Sequence, residues 1–315
     1  MTVDGIVRAL EGIEPFRESL AAAVPRSTVD VAVDAEFSLV DGLHAPTLAA
    51  LLARRAATGR PQALLAITPT GRRAESLGAA LEALLPAGAT VLHFPAWETL
   101  PHERLSPSAE TVGHRLEALR TIAAWRGDAP IVVVASVRAA LQPLAAGLAD
   151  AAPLRLSEGA RGHELTEVAE RLVELAYARV DMVSRRGEFA MRGGILDVFP
   201  PVAEHAYRIE FFGDEVDQIR AFSVADQRSL PGAVPLVDLV PSRELLLTPA
   251  VRQRARELRG EFPAIAGMLE RMAEGIPVEG MESLTPALVD VVTLADYLPE
   301  ACAYAVVDPE RAVTN

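Results

Sequence analysis

The chain has 315 residues and a formal net charge of −13, with 50% hydrophobic and 23% charged residues. This composition is that of a folded protein, and the length favours about two domains of roughly 150 residues each. The negative charge argues against binding of nucleic acids or anionic membranes over the whole surface. The single cysteine, Cys302, excludes an internal disulfide or a multi-cysteine metal site, and its apolar surroundings favour a buried thiol.

The N-terminal residues lack the basic region and apolar run of a signal peptide, because Asp4 and Glu11 come early. No run of about 18 apolar residues predicts a membrane span. We therefore expect a cytoplasmic protein without a membrane partner.

Three short apolar runs predict buried strands of a parallel sheet, at 63–68, 90–94 and 131–136. Between the last two, apolar residues at helical spacing predict a helix, with Ser108 as its N-cap. Strands alternating with helices are typical of a doubly wound α/β fold, which we predict for residues 1–145.

The pattern changes after Pro143, and residues 146–236 predict an α+β domain. Leu165 and the apolar residues after it mark an amphipathic helix ending near Arg179. Strand-like segments follow, and Gly213-Asp214 between two of them signals a two-residue hairpin turn. The predicted strand segments are 181–183, 188–199, 206–212 and 215–224.

We assign residues 237–315 to the completion of the first α/β domain. A strand-like VDLV begins this segment, a charged helical stretch follows at 251–274, and the apolar run 303–307 predicts another strand. These elements are expected to rejoin the first sheet.

Residues 40–47 occupy the strand-to-helix turn where a nucleotide-binding α/β domain carries its phosphate loop. Such a loop needs successive backbone N–H groups, a lysine and a magnesium-binding hydroxyl. Here Gly42 is the only glycine, no lysine is present, and Pro46 lacks an N–H. Thr47 alone cannot assemble the site, so we predict no bound cofactor and no ATP hydrolysis by this segment.

Other catalytic patterns are missing from the sequence. The six histidines are scattered without zinc-ligand spacing, no nucleophile motif occurs, and the carboxylates are interleaved with arginines. We therefore predict no catalytic residue and no metal site. The loop at Trp97 is either an exposed partner-binding loop or, as we favour, one packed by its own Trp97 and Leu100.

A polar sheet face is the strongest candidate for a binding surface. Alternation along 188–199 and 206–212 predicts one face carrying Arg192, Arg208 and Glu210, with Arg179 near the helix end. Gly193-Gly194 would let a partner backbone approach closely. An ordinary charged face and a partner platform both remain open on this pattern alone. The residues predicted to face the core are Phe189, Met191, Ile195, Tyr207, Ile209 and Phe211.

Long motifs here resemble two related families of nucleotide-excision-repair proteins, the UvrB proteins and the transcription-repair coupling factors. They are DMVSRRGEFAMRGGILDVFP and YRIEFFGDEVDQIRAFSVADQRS. AWETLPHERLSP, LVPSRELLLT and EGIPVEGMESLTP resemble the coupling factors, and the resemblance covers nearly all of 37–315. The missing phosphate loop, and an interval at 94–130 too short for the DNA-clamping hairpin of UvrB, favour the N-terminal, UvrB-like module of the coupling factors.

This resemblance implies a degenerate P-loop-type parallel-sheet domain with an inserted α+β domain, corresponding to UvrB-like domains 1a, 2 and 1b. It implies that the inserted domain binds UvrA through Arg179, Arg192 and Glu210. Ala190 stands where the UvrB pattern has a further arginine.

In the family, the C-terminal region covers this surface at rest. The resemblance implies that domains beyond residue 315 bind RNA polymerase and DNA. These domains would also include an ATP-driven translocase motor. The function implied for this chain is therefore recruitment of UvrA to stalled RNA polymerase, together with a contribution to autoinhibition.

Two other functions remain open on the sequence. A nucleic-acid-dependent ATPase with an atypical phosphate loop is supported by the α/β layout alone. A structural scaffold would bind neither nucleotide nor UvrA.

Overall fold

The structure is a computed structural model that describes residues 5, 9–10, 12–24, 34–100 and 103–314. Within these ranges, no helix combines the length and apolar character needed to cross a membrane. The described residues form two compact units, which we treat one at a time. The first unit is drawn from Met1–Ala96, Arg120–Gln142 and Thr293–Asn315, and the second from Trp97–Leu119 and Pro143–Val292.

The strands are numbered in chain order. They are β1 Ala63–Thr68, β2 Thr90–Phe94, β3 Ile131–Ser136, β4 Leu144–Ala145, β5 Leu154–Ser157, β6 Ala178–Arg179, β7 Glu188–Arg192, β8 Ile195–Val198, β9 Ala206–Phe212, β10 Glu215–Phe222, β11 Leu236–Leu239, β12 Val291–Val292 and β13 Ala303–Val306.

The α-helices are numbered in the same way. They are α1 Glu14–Ala22, α2 His44–Ala57, α3 Gly71–Leu84, α4 Ala109–Ala124, α5 Val137–Leu141, α6 Leu165–Glu174, α7 Pro249–Leu258, α8 Ala266–Ala273, α9 Thr285–Leu288 and α10 Pro309–Thr314. Short 3₁₀ turns lie at Asp41–Leu43, Leu148–Asp150, Pro263–Ile265, Met281–Leu284 and Leu294–Tyr297.

The first unit is built on a parallel sheet with the strand order β13-β1-β3-β2. β1 and β3 are almost wholly buried because neighbouring strands and helices cover them. Residues of α2 and α3 pack on one face, with Leu48 and Leu77 in the same core as Leu64 and Val132. The three strands predicted at 63–68, 90–94 and 131–136, and the mixed α/β class with a parallel sheet, are confirmed.

The second unit contains a five-stranded sheet in the order β10-β9-β8-β7-β6, antiparallel except for the short β6–β7 pair. The amphipathic helix α6 covers one face, where Leu172 joins Phe189, Leu196 and Ile209 in a dry core. The predicted two-residue hairpin at Gly213-Asp214 is confirmed between β9 and β10, with Gly213 at φ 63°.

The helix predicted to end near Arg179 is shorter, because α6 ends at Glu174. Ala176 adopts a left-handed φ of 63°, and the N–H of Tyr177 donates to the carbonyl of Leu172 at 2.9 Å. This reversal buries Tyr177 in the same core as α6. Arg179 therefore lies in the edge strand β6 rather than at a helix end.

The strand predicted at 181–183 is wrong. The Glu188 carboxylate accepts hydrogen bonds from the backbone N–H groups of Ser184 and Arg185, each at 2.8 Å, which closes a turn over these residues. Val183 is buried in a small second core that includes Phe199. The segment is thus an irregular connection and not a ladder strand.

The observed units also divide the chain differently from the three predicted segments. β11 pairs with β5 within the second unit, and β13 alone joins the first sheet, beside β1. The helix predicted over 251–274 is two helices, α7 and α8. The first ends at Leu258 and the second begins at Ala266, and Pro263 between them disfavours a continuous helix because it lacks an N–H and restricts the preceding residue.

A buried ion pair ties distant parts of the second unit together. The Arg115 side chain is fully buried, and its Nε lies 2.5 Å from Oε1 of Glu244, which is 3% exposed. Trp97 Nε1 donates to the same carboxylate at 3.1 Å. Trp97 is itself buried, as the self-packed interpretation of its loop requires, but Leu100 is 38% exposed, so that interpretation holds for Trp97 and not for Leu100. The pair fixes the 97–119 segment against the chain around residue 244.

We predict that Glu244→Gln destabilises the protein by about 3–5 kcal/mol, because the buried Arg115 then loses the negative charge of Glu244. Urea unfolding followed by tryptophan fluorescence measures this change. The exposed pair Arg155–Asp238, with 64% and 37% side-chain exposure, provides the control: Asp238→Asn should leave the midpoint nearly unchanged.

Replacing both members of the buried pair, with Arg115→Met and Glu244→Leu, should recover much of the lost stability. A double variant no more stable than Glu244→Gln would show that the loss does not come from an unpaired charge.

Candidate protein-binding surface

The Gly193-Gly194 turn sets which side chains share the face of the sheet opposite α6. Sequence alternation through the two glycines placed Ile195 with Phe189 and Met191, and this prediction is wrong. The turn separates β7 from β8, so Arg192 pairs with Ile195, while Met191 pairs with Leu196 on the core side. Ile195 therefore faces away from α6.

The same register continues across the sheet. Ile195 pairs with Glu210 on β9, and Glu210 pairs with Gln218 on β10. We call Arg192, Ile195, Glu210 and Gln218 the polar row. Cross-strand partners point to the same side of a sheet, with strands about 4.8 Å apart, so Arg192 and Glu210 lie about 10 Å apart on one face. Two of the three predicted contact residues are thus brought together.

The Arg192 side chain is exposed but held in place. Its Nη2 donates to the carbonyl of Asp181 at 2.6 Å. This contact leaves other N–H groups of the planar guanidinium available to a carboxylate. Glu210, on β9 next to the edge strand β10, is half-buried and offers carboxylate oxygens. The polar row therefore presents one cation and one anion in fixed positions.

The next row contains an internal ion pair. Arg208 donates to both oxygens of Asp197, at 2.7 and 2.8 Å, and its guanidinium stacks 4.9 Å from the centre of the Phe222 ring. The hydrogen bond to Asp197 raises the pKa of Arg208, and the negative charge of Glu210 acts in the same direction. Arg208 does lie on the predicted face, but its donors serve Asp197. It supports the polar row rather than offering a free contact.

Ala190 on β7 is the cross-strand partner of Asp197, so it lies in the same row as Asp197 and Arg208. It is 2% exposed. It packs with Val183 and Phe199 in the small core, so it adds almost no accessible surface to the face.

Arg179 lies on the other side of the sheet. It pairs with Phe189, whose side chain packs against α6, while its neighbour Val180 packs with Ala190 on the opposite face. Arg179 is exposed on the edge strand β6. Its long side chain can meet a partner from this edge, but the register does not place it in the polar row.

The two turn glycines have different surroundings. A Cβ at Gly194 would lie 3.0 Å from the carbonyl oxygen of Phe211, whereas a Cβ at Gly193 would meet no atom within 4 Å. Gly194 is therefore needed for close strand contact, and Gly193 leaves open space beside Arg192.

The turn at residues 40–47 makes hydrogen bonds within itself. The N–H of Leu43 donates to the carbonyl of Val40, and that of His44 donates to the carbonyl of Asp41. Pro46 offers no donor, so residues 43, 44 and 46 contribute no available N–H group to a phosphate. The Leu43 and His44 hydrogen bonds form because the 3₁₀ turn Asp41–Leu43 leads directly into α2.

Asp41, His44 and Asp308 bring potential metal-ligand atoms within 4.8 Å of one another. The Arg73 guanidinium already lies among them, 3.3 Å from Asp41 Oδ2 and in direct contact with Asp308. Arg73 therefore supplies the positive charge that a metal ion would supply. Two carboxylates at this loop also oppose an anionic phosphate.

Cys302 is buried, as the sequence predicted, and burial raises the pKa of its thiol to about 11. A thiol in this state is protonated at neutral pH and is a poor nucleophile.

Comparison with known proteins agrees with the resemblance in the sequence. A family model described as the UvrB interaction domain matches residues 154–245, which contain the polar row. The transcription-repair-coupling factor of Mycobacterium tuberculosis is 48% identical over 289 residues, covering 87% of this chain and 23% of that protein.

Those of Myxococcus xanthus and Bacillus subtilis are 36% and 33% identical over 234 and 235 residues, each covering 70% of this chain and 19% of the relative. The chain thus spans less than a quarter of the length of these relatives. The chain belongs to the transcription-repair-coupling factor family and corresponds to its N-terminal, UvrB-like segment.

Proposed function

We propose that this chain recruits UvrA, and that the polar row is the centre of the contact. The supporting observation is that Arg192 and Glu210 share one exposed face of the sheet, within the segment that matches the UvrB interaction domain. Arg192 pairs with an acidic group of UvrA, and Glu210 pairs with a basic one. Arg179 contributes from the edge strand β6.

The charges of the face suit recognition of a protein partner. A cation and an anion at a fixed separation favour a partner with the opposite arrangement and penalise one with like charges. The overall charge of −13 makes the exposed arginine locally distinctive. The hydrogen bond from Arg192 to Asp181 reduces the entropy lost when a partner orders the side chain.

The proposal extends to the longer polypeptide. The 146–236 segment serves as the UvrA-binding domain, between a degenerate nucleotide-binding-like domain at 1–145 and the segment 237–315, which completes that domain through β13. RNA polymerase and DNA are bound by other parts of a full-length coupling factor, which also carry the ATP-driven motor. At rest, the C-terminal region of that protein covers the polar row and blocks UvrA.

We expect the double variant Arg179→Ala/Arg192→Ala to weaken UvrA binding by at least about 30-fold, equivalent to roughly 2 kcal/mol, because the partner's carboxylates lose their charged donors. Glu210→Gln should weaken it as well. Titration of UvrA against the 315-residue chain, by calorimetry or interferometry, measures the dissociation constants.

Arg254→Ala/Arg259→Ala is the matched control. It removes two exposed arginines from the helical segment around α7 without touching the sheet, and should leave the affinity unchanged. Undiminished binding by the Arg179/Arg192 double variant would exclude these residues from the contact.

A nucleic-acid-dependent ATPase is the competing function, and the loop geometry opposes it. We expect a fluorescent ATP analogue to show no binding at micromolar concentrations, because the N–H groups of Leu43 and His44 are engaged and Asp41 and Asp308 repel phosphate. Equilibrium anisotropy with and without magnesium measures the affinity. A micromolar dissociation constant that Asp41→Ala or Arg73→Ala alters would favour the ATPase instead.

A further inference from the structure

The end of the β9–β10 hairpin carries an unusually exposed aromatic side chain. Phe212 is 82% exposed, compared with 53% for Tyr304 and 47% for Phe262, the next most exposed aromatic residues in the described part of the chain. Single exposed apolar residues are common on protein surfaces. Phe212 is a candidate contact residue because of its position relative to the polar row.

Phe212 lies on the same face as the polar row. Along β9, Ile209 and Phe211 pack towards the core under α6, so Glu210 and Phe212 point to the opposite side. Two residues along a strand span about 7 Å, which places the Phe212 ring beside Glu210. Ile195, half-buried in the polar row, adds a second apolar group nearby.

The glycine turn leaves the ring uncovered. The N–H of Phe211 donates to the carbonyl of Gly194 at 2.8 Å, so the neighbours of the β9 end are Gly193 and Gly194. Neither glycine has a side chain that could shield Phe212. Its partner across the hairpin is Glu215, whose carboxylate is engaged by Arg161 at 2.8 Å.

The turn that presents Phe212 is fixed by the preceding loop. Asp214 accepts hydrogen bonds from the N–H of Gly162, through its side chain at 3.2 Å, and from the N–H of His163, through its carbonyl at 3.0 Å. With the Arg161–Glu215 pair, these contacts hold both sides of the turn. The backbone that carries Phe212 is therefore ordered before any partner arrives, which lowers the entropic cost of binding.

A polar row alone gives a partner selectivity but little affinity, since exposed ion pairs contribute weakly. Tight protein interfaces place an aromatic anchor in a dry pocket and surround it with polar contacts. Phe212, flanked by Glu210 and by the space over Gly193, has the position of such an anchor.

We propose that Phe212 is the apolar anchor of the UvrA contact, inserting into an apolar pocket of UvrA while the polar row sets orientation. This inference rests on the proposed function. It adds an apolar contact to the ionic contacts of the polar row, and the strength of the apolar contact should not fall as the salt concentration rises.

The test is the affinity of UvrA for the 315-residue chain carrying Phe212→Ala, with Phe262→Ala as the matched control in the helical segment. We expect Phe212→Ala to weaken binding about tenfold or more, and Phe262→Ala to bind within about twofold of the unchanged chain. Phe212→Leu, which keeps an apolar group, should lose less than Phe212→Ala. Thermal unfolding should be unchanged for the Phe212 variants, because the side chain is exposed.

Salt dependence distinguishes the two parts of the surface. Removing Arg192 should flatten the decline of affinity with salt, whereas Phe212→Ala should weaken binding equally at low and high salt. Wild-type-like binding by Phe212→Ala, alongside weakened binding by Arg192→Ala, would overturn the anchor and leave the proposed function intact. Failure of the unchanged chain to bind UvrA would overturn both.

Discussion

The pairing register imposed by Gly193-Gly194 determines what the inserted sheet presents to solvent. Because only Gly193 and Gly194 separate Arg192 from Ile195, Arg192 and Ile195 are cross-strand partners. The pairing of β8 with β9 then places Glu210 in the same row. A register shift of one residue would exchange the faces and send Arg192 towards the core under α6. The core side chains Phe189, Leu196 and Ile209 oppose such a shift, because their burial requires the observed pairing. Packing on one face thus specifies the chemistry of the other.

Arginine has three different roles in this chain, and burial separates them. Arg115 is fully buried with Glu244 and joins segments of the second unit. Arg208 is partly buried, pairs with Asp197 and supports the sheet face. Arg192 is exposed, and its Nη2 donates to the backbone carbonyl of Asp181, which carries no formal charge that would cancel that of the guanidinium. A net charge of −13 therefore coexists with a local cationic group that can select a partner.

The strands of the parallel sheet could be predicted from sequence because continuous apolar runs such as IVVVAS have few alternatives to burial. The end of α6 could not, since it depends on the left-handed Ala176, which no local propensity favours. The face of Ile195 was mispredicted because alternation was counted through two glycines that form a turn. Arg179 comes three residues after Ala176 in the chain. Its position in an edge strand therefore depends on the same tertiary packing that buries Tyr177. The period of two within each strand was enough to place Arg192 and Glu210 on one face, so this part of the site could be predicted from the sequence.

The core of the first unit does not depend on the turn at residues 40–47. Buried strands and the helices packed on them account for its core, and none of these contacts involves the loop at 40–47 except at the start of α2. The charges that remain at the loop pair internally, through Arg73 with Asp41 and Asp308. Such a pairing stabilises the loop and opposes phosphate binding, because an incoming anion would have to displace a carboxylate from Arg73. The sheet can then serve as a support, and the distinctive surface chemistry of the chain lies in the inserted strands.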